Sequence, residues 1–141
     1  MKSNPSRPVL CPSAQPFMEG SMVFGVVGGD ADTPRVKWLE EPVPVSEEIL
    51  ALTGSVPPTQ VLRITAPCQE NACCHFNGTD CRLATKLVQL MPAVSDFLPA
   101  CRIRPDCRWF VQEGKDACAR CPQIVTYSVN PTEELSMAAT P

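Results

Sequence analysis

The chain alternates short apolar runs with turn-forming clusters. Met22 to Val27 is a short apolar run of strand character, and Gly28-Gly29-Asp30 marks the turn that follows it. Arg35 to Leu39 supplies the returning strand of a hairpin. Ser46 before Glu47 and Glu48 reads as a helix start, with a capping oxygen and acids that favour the positive end of the helix dipole. Ile49, Leu50 and Leu52 give that helix its apolar side. Gly54 ends it, and Pro57-Pro58 bars continuation. Thr59 to Thr65 alternates as a further strand that delivers the chain to Cys68.

Beyond Cys68 the period changes from two to nearly four. Leu83, Leu87 and Leu90 fall at helical spacing, with Thr79 or Asp80 as the cap. Pro92 opens a second short helix carrying Val94, Phe97 and Leu98. Asp106 caps a third that carries Trp109 and Phe110 and ends at Gly114. Gln123 to Val129 has strand character. The expected fold class is α+β, with a small β-rich N-terminal half and a short-helix, cysteine-rich half. Four segments follow: a disordered stretch 1–20 punctuated by Pro5, Pro8, Pro12 and Pro16, a small α/β segment 21–67, a cysteine-rich metal-binding region 68–126, and a loose tail 127–141.

Sixteen prolines and 6% aromatic residues argue against a large regular core. The net charge of −3 argues against a nucleic-acid binder held by bulk electrostatics. Residues 61–125, which hold most of the cysteines, carry 8 basic and 6 acidic side chains and are the one mildly basic segment. No apolar run approaches the roughly 18 residues of a membrane span, and no export signal is read at the start. The expected location is therefore the cytoplasm, a reducing compartment where clustered cysteines more often hold metal than form disulfides.

Eight of the nine cysteines lie between Cys68 and Cys121, and Cys11, alone near the start, reads as a bystander. The eight divide into Cys68, Cys73, Cys74 and Cys81, spaced Cys-x4-Cys-Cys-x6-Cys, and Cys101, Cys107, Cys118 and Cys121, spaced Cys-x5-Cys-x10-Cys-x2-Cys. A tetrahedral ion or a cubane cluster needs four soft donors converging on one point, and a Cys-x2-Cys turn supplies two of them. Cys118-Ala-Arg-Cys121-Pro122 is such a turn, ending in Cys-Pro as bacterial ferredoxin runs do. Zinc ribbons show two close knuckles per site, whereas this chain has a single Cys-x2-Cys pair and otherwise longer spacings. The leading expectation is one or two [4Fe–4S] clusters on all eight cysteines, with zinc as the alternative. His75 is a possible ligand in place of one adjacent thiolate.

Arg82, Arg102, Arg104, Arg108 and Arg120 each lie within two residues of a cysteine. They either offset the charge of a thiolate site or serve as solvated surface charge. Trp109 and Phe110 are expected to shield the site from water, and Glu113 to be a solvated helix residue. No phosphate loop, calcium loop or Ser-His-Asp set is present, so an enzyme is not expected.

The run Cys73-Cys-His-Phe, Cys81-Arg-Leu-Ala, Leu98-Pro-Ala-Cys-Arg-Ile-Arg-Pro, Cys107-Arg-Trp-Phe, Gln112-Glu-Gly and Cys118-Ala-Arg-Cys-Pro resembles a group of small cysteine-rich bacterial proteins sometimes labelled nitrogen fixation proteins. The resemblance covers roughly residues 22–126. It implies an iron–sulfur or redox context, names no reaction and assigns no ligand. The functions expected are electron transfer or redox and oxygen sensing for a protein partner. The alternatives are a zinc-stapled protein interaction module and an iron–sulfur cluster carrier.

Overall fold

The computed structural model describes residues 8–29, 34–95, 98–127 and 131–140. Strands β1 (Leu10–Cys11), β2 (Met22–Gly29), β3 (Pro34–Pro44) and β4 (Leu62–Pro67) form one antiparallel sheet in the order β1-β4-β2-β3. Six short helices complete an α+β fold: α1 (Glu47–Ala51), α2 (Pro58–Val61), α3 (Arg82–Leu90), α4 (Arg108–Glu113), α5 (Lys115–Arg120) and α6 (Glu133–Ala139).

The expected hairpin is β2 with β3. Ser46 caps α1 as read from the sequence, its Oγ accepting from the Ile49 N–H at 3.2 Å. The central strand β2 bulges at Phe24, which the register skips against both neighbours. The bulge turns the Phe24 ring inward, where it stacks on Trp38 with centroids 5.1 Å apart. Gly25 is required beside it. A Cβ there would stand 2.7 Å from Trp38 Cε3 and 2.8 Å from Val36 Cγ1. Gly25→Ala is therefore expected to displace Trp38 and cost about 1–3 kcal/mol, read from the midpoint of denaturant unfolding. An unchanged midpoint would show that Trp38 gives way freely.

The core has two apolar clusters. Ala14, Val23, Ile64 and Ala66 form the smaller, flanked by Met18, Val45 and Ile49. The larger joins Phe24 of the sheet to the helices through Leu87, Met91, Ile103, Trp109, Ala117 and Ile124.

Several elements depart from the sequence reading. The first segment is disordered in expectation, yet residues 9–16 are buried or half-buried and only 1–7 fall outside the described residues. Ala14 is fully buried and donates to the Ile64 carbonyl at 2.8 Å, while the Cys68 N–H reaches the Val9 carbonyl at 2.8 Å. Proline lacks a donor but keeps its carbonyl, and the Pro12 carbonyl is used twice below. The tail is likewise not loose throughout. Thr132 caps α6, its Oγ1 accepting from the Leu135 N–H at 3.1 Å, and α6 packs on α3 with Ala138 fully buried.

Residues 58–61 are helical rather than extended, because Pro58 suits a first helical position, so β4 begins only at Leu62. The helix expected at Pro92 is absent from the described part of that segment, where the Val94 N–H is spent on the Ala119 carbonyl at 2.8 Å. Phe97 lies outside the described residues, as do Asp30 and residues 128–129 of the last expected strand. The described start of that strand is a 3-10 turn, Cys121–Gln123, followed by irregular chain. The N-cap positions of α3 and α4 are Cys81 and Cys107 rather than Asp80 and Asp106. Asn77 Oδ1 takes the Thr79 and Asp80 N–H groups at 3.0 and 2.8 Å, which ties that loop locally and leaves the cap position to the cysteine.

No helix among the described residues is long and apolar enough to cross a membrane.

Candidate metal centre

The fold brings cysteines from distant parts of the chain around two spaces, five at one and four at the other. Cys11 sits on β1, opposite Ala66 of β4. Cys68 follows β4 directly. Cys73 follows the 3-10 turn Glu70–Ala72, and Cys81 occupies the N-cap position of α3. These four border one cavity of about 870 Å³, together with Cys74 and His75. Burial, helped by the thiols of Cys68, Cys81 and Cys73 and opposed by a backbone hydrogen bond from Ser13, pushes the Cys11 thiol from 9.0 up to about 12. Burial likewise raises Cys81, with Cys73 and Cys68 adding to it. Gln112 clamps Cys81, accepting its N–H at 2.7 Å and donating to its carbonyl at 2.8 Å.

The second group is Cys101, Cys107, Cys118 and Cys121, around a much tighter space of about 20 Å³ walled by Pro12, Phe24, Trp38, Ile103 and Arg104. Cys107 is buried. Burial raises Cys101, Cys107 and Cys118, and neighbouring thiols of the same group push each further up. A hydrogen bond from Arg104 opposes the rise at Cys118.

The second group is the one read from the sequence. At the first cavity all four cysteines read from the sequence, Cys68, Cys73, Cys74 and Cys81, are present, Cys74 exposed, and Cys11, expected to be a bystander, joins them. His75 lines the same cavity. Burial, with Lys86 and Arg82 nearby, lowers its pKa and keeps the imidazole neutral at pH 7. Among the described residues, no three of the His, Cys, Asp and Glu side chains converge closely enough to hold a single ion.

Arg63 is the functional residue that the sequence reading passed over. It is fully buried in β4. Its Nε and Nη2 donate to the Pro12 carbonyl at 3.0 and 2.7 Å, and its Nη1 to the Cys121 and Ile124 carbonyls, each at 2.9 Å. Its Nη2 also reaches Cys121 Sγ at 3.2 Å. The guanidinium carbon lies 5.3 to 5.7 Å from the ring centroids of Trp38, Phe24 and Trp109. The available signal was one charge inside the otherwise apolar and hydroxylic run Leu62-Arg63-Ile64-Thr65-Ala66. A charge on a buried strand needs a reason.

The arginines flanking cysteines separate into kinds. Arg104 lines the second space and Arg108 the first cavity, and the Nε of each is buried without a hydrogen-bond partner among the described residues. Arg102 makes an exposed pair with Glu41, and Arg120 holds the Met91 and Asp116 carbonyls. Trp109 is buried and lines the first cavity. Glu113 is not simply solvated, because its Oε2 accepts from Thr85 at 3.0 Å and from Gln112 at 2.9 Å. It is a structural anchor for the Gln112 clamp.

The raised thiols fix a pH dependence for the metal-free protein. Up to about pH 9 they are protonated in both states. Above it the unfolded chain ionises them first, while folded Cys11 keeps its proton to about pH 12. The unfolded state then binds fewer protons than the native one, so stability falls across that window. Unfolding midpoints of metal-free protein are expected to drop from pH 9 upward, and a flat profile would contradict buried neutral thiols.

The chain matches no known family profile, no curated protein and no solved structure.

Proposed function

We propose that this is an iron–sulfur protein with two four-cysteine sites, acting in electron transfer or in redox or oxygen sensing for a protein partner. The observation that carries this reading is the gathering of nine thiols, drawn from positions 11 to 121, around two spaces, five at one and four at the other. Thiolate is the donor that iron–sulfur clusters take. The first cavity, about 870 Å³, has room for a cluster, whereas the second space, about 20 Å³, would have to open to take one. The charge pattern adds support. A four-thiolate [4Fe–4S]²⁺ site is negative; Arg63 already donates to Cys121 Sγ, and Arg104 and Arg108 each hold a buried Nε–H that meets no acceptor among the described residues. Sulfides of a cluster are acceptors for such donors, and hydrogen bonds to sulfur raise a cluster's potential. The clusters would supply one-electron chemistry, while the chain's own residues hold them, screen them and balance their charge. The resemblance to proteins labelled for nitrogen fixation points in the same direction.

A second reading is zinc at the second group. It is favoured by the tight space there, about 20 Å³, and would make that half a stapled interaction module. Anaerobic purification with iron, zinc and sulfide analysis separates the two. Iron and sulfide near eight per chain, with broad absorbance at roughly 400 nm that bleaches on reduction, are expected. Colourless protein that holds zinc and no sulfide would end the redox reading.

A further inference from the structure

The first cavity holds an unspent cation. Among the described residues that line it, Arg108 is the one Lys, Arg, Asp or Glu, so no carboxylate stands in the walls to meet its charge. The Arg108 side chain is only 14% exposed, and its Nε is buried without an acceptor among the described residues. Its Nη2 stands 3.9 Å from Oε2 of Glu70, beyond hydrogen-bond length, and the Glu70 side chain is 62% exposed. A long pair with a solvated carboxylate contributes little. The guanidinium carbon lies 5.3 Å from the ring centroid of Phe76, but a ring takes the face of a guanidinium and none of the N–H donors in its plane. Arg63 is the contrast, because its Nε, Nη1 and Nη2 are all spent on acceptors inside the fold. A charge withdrawn from water with donors unspent is costly, and such donors call for a partner.

The walls describe the rest of that partner. Met18, Phe76, Leu83, Trp109 and Leu135 line the cavity, so apolar surface surrounds the one cation. Ser13 and Thr126 line it too, but their hydroxyls bond to each other at 2.7 Å, and the Thr140 hydroxyl is spent on the Ser136 carbonyl. The volume, about 870 Å³, lies in the upper part of the range of small-molecule pockets.

We propose that the first cavity binds an amphipathic oxyanion, a carboxylate or phosphate head on an apolar body, with Arg108 as the fork that takes the head. The planar guanidinium matches a pair of head oxygens in either case. The anion supplies the countercharge that the walls lack, and its body covers the apolar residues. The inference goes beyond the iron–sulfur reading and does not rest on it, because Arg108 and the apolar walls are present whatever the thiols hold. A guanidinium carries more N–H donors than one cluster sulfide takes, so a cluster and an oxyanion are compatible there.

The test titrates the full-length, anaerobically purified protein by calorimetry with octanoate, octyl phosphate, octylamine and 1-octanol. Iron, zinc and sulfide are measured on the same sample. At least one of the two anions is expected to bind on the order of tenfold or more tighter than octanol, as a charge-assisted hydrogen-bonded pair provides, and octylamine to bind more weakly than octanol. The tighter anion identifies the head. Arg108→Met is expected to bring the anion down to the affinity of octanol, and Arg108→Lys to fall between. Ser136→Trp, at an exposed position of α6 that lines the cavity, is expected to weaken anion and octanol alike by filling the space. If Arg108→Met does not fold, the head-group comparison and Ser136→Trp decide alone. Anions that bind no better than octanol overturn the proposal, as does an affinity that survives Arg108→Met or Ser136→Trp. Anion binding by colourless, sulfide-free protein leaves this inference standing and removes the iron–sulfur reading. Iron and sulfide in a protein that binds neither anion do the reverse.

Discussion

Replacing Arg63 with methionine is expected to cost about 4 kcal/mol or more of stability and to empty the second cysteine group. Methionine fills much of the volume but donates nothing. The carbonyls of Pro12, Cys121 and Ile124 would then lose donors that Arg63 supplies inside the fold. Each buried polar group left unsatisfied costs roughly 1–3 kcal/mol; the Pro12 and Ile124 carbonyls lose the donors that Arg63 gives them, while the Cys121 carbonyl keeps the Ile124 N–H at 3.1 Å. The aromatic faces of Phe24, Trp38 and Trp109 would lose their cation as well. Arg63→Lys keeps the charge without the planar fork and should fall between the two. Denaturant unfolding of the loaded protein, with metal content measured alongside, decides it. A loss below about 1 kcal/mol with full metal would show that neither the hydrogen bonds nor the charge is needed, since buried ionic groups are in some proteins replaceable by apolar ones.

The second large effect is expected at Cys11. Cys11→Ser should remove about half of the bound metal, leaving the share held by Cys101, Cys107, Cys118 and Cys121. A hydroxyl is a poor substitute for a soft thiolate donor, and the three remaining thiols no longer complete a four-thiolate site. The outcome is read by elemental analysis of the purified variant beside wild type and Cys118→Ser, which should lose the other half. Full metal in Cys11→Ser would restore the grouping that spacing alone suggests, with Cys74 in its place.

That contrast shows where the sequence is legible. The second group is readable because its four cysteines fall within 21 residues, close enough for local turns to gather them. The β2–β3 hairpin, the Ser46 cap and the Gly114 stop follow from local chemistry and appear as read. Cys11 is not readable in this way. Its partners are 57 or more residues away, and what brings it to them is the pairing of a two-residue strand with β4. A proline-rich start signals poor helix and poor strand, but it does not exclude a chain whose carbonyls are wanted elsewhere. Arg63 hides for a related reason. Its role depends on Pro12, Cys121 and Ile124, none of which is near it in sequence. The tail was misjudged more avoidably, since Thr132-Glu133-Glu134 carries the same capping signal that identified α1.

The closure of the two ends has a consequence for how the molecule is made. Ser13 Oγ and Thr126 Oγ1 meet at 2.7 Å although 113 residues separate them, and Leu10 bridges to Cys107. Contacts of such long span give no return until nearly the whole chain is available, and proteins built on them fold slowly. A ribosome therefore releases Cys11 long before anything exists for it to join. Until the ends close, the chain carries thiols with no pocket around them, for a time set by how fast residues 10–13 find their places beside β4 and α4.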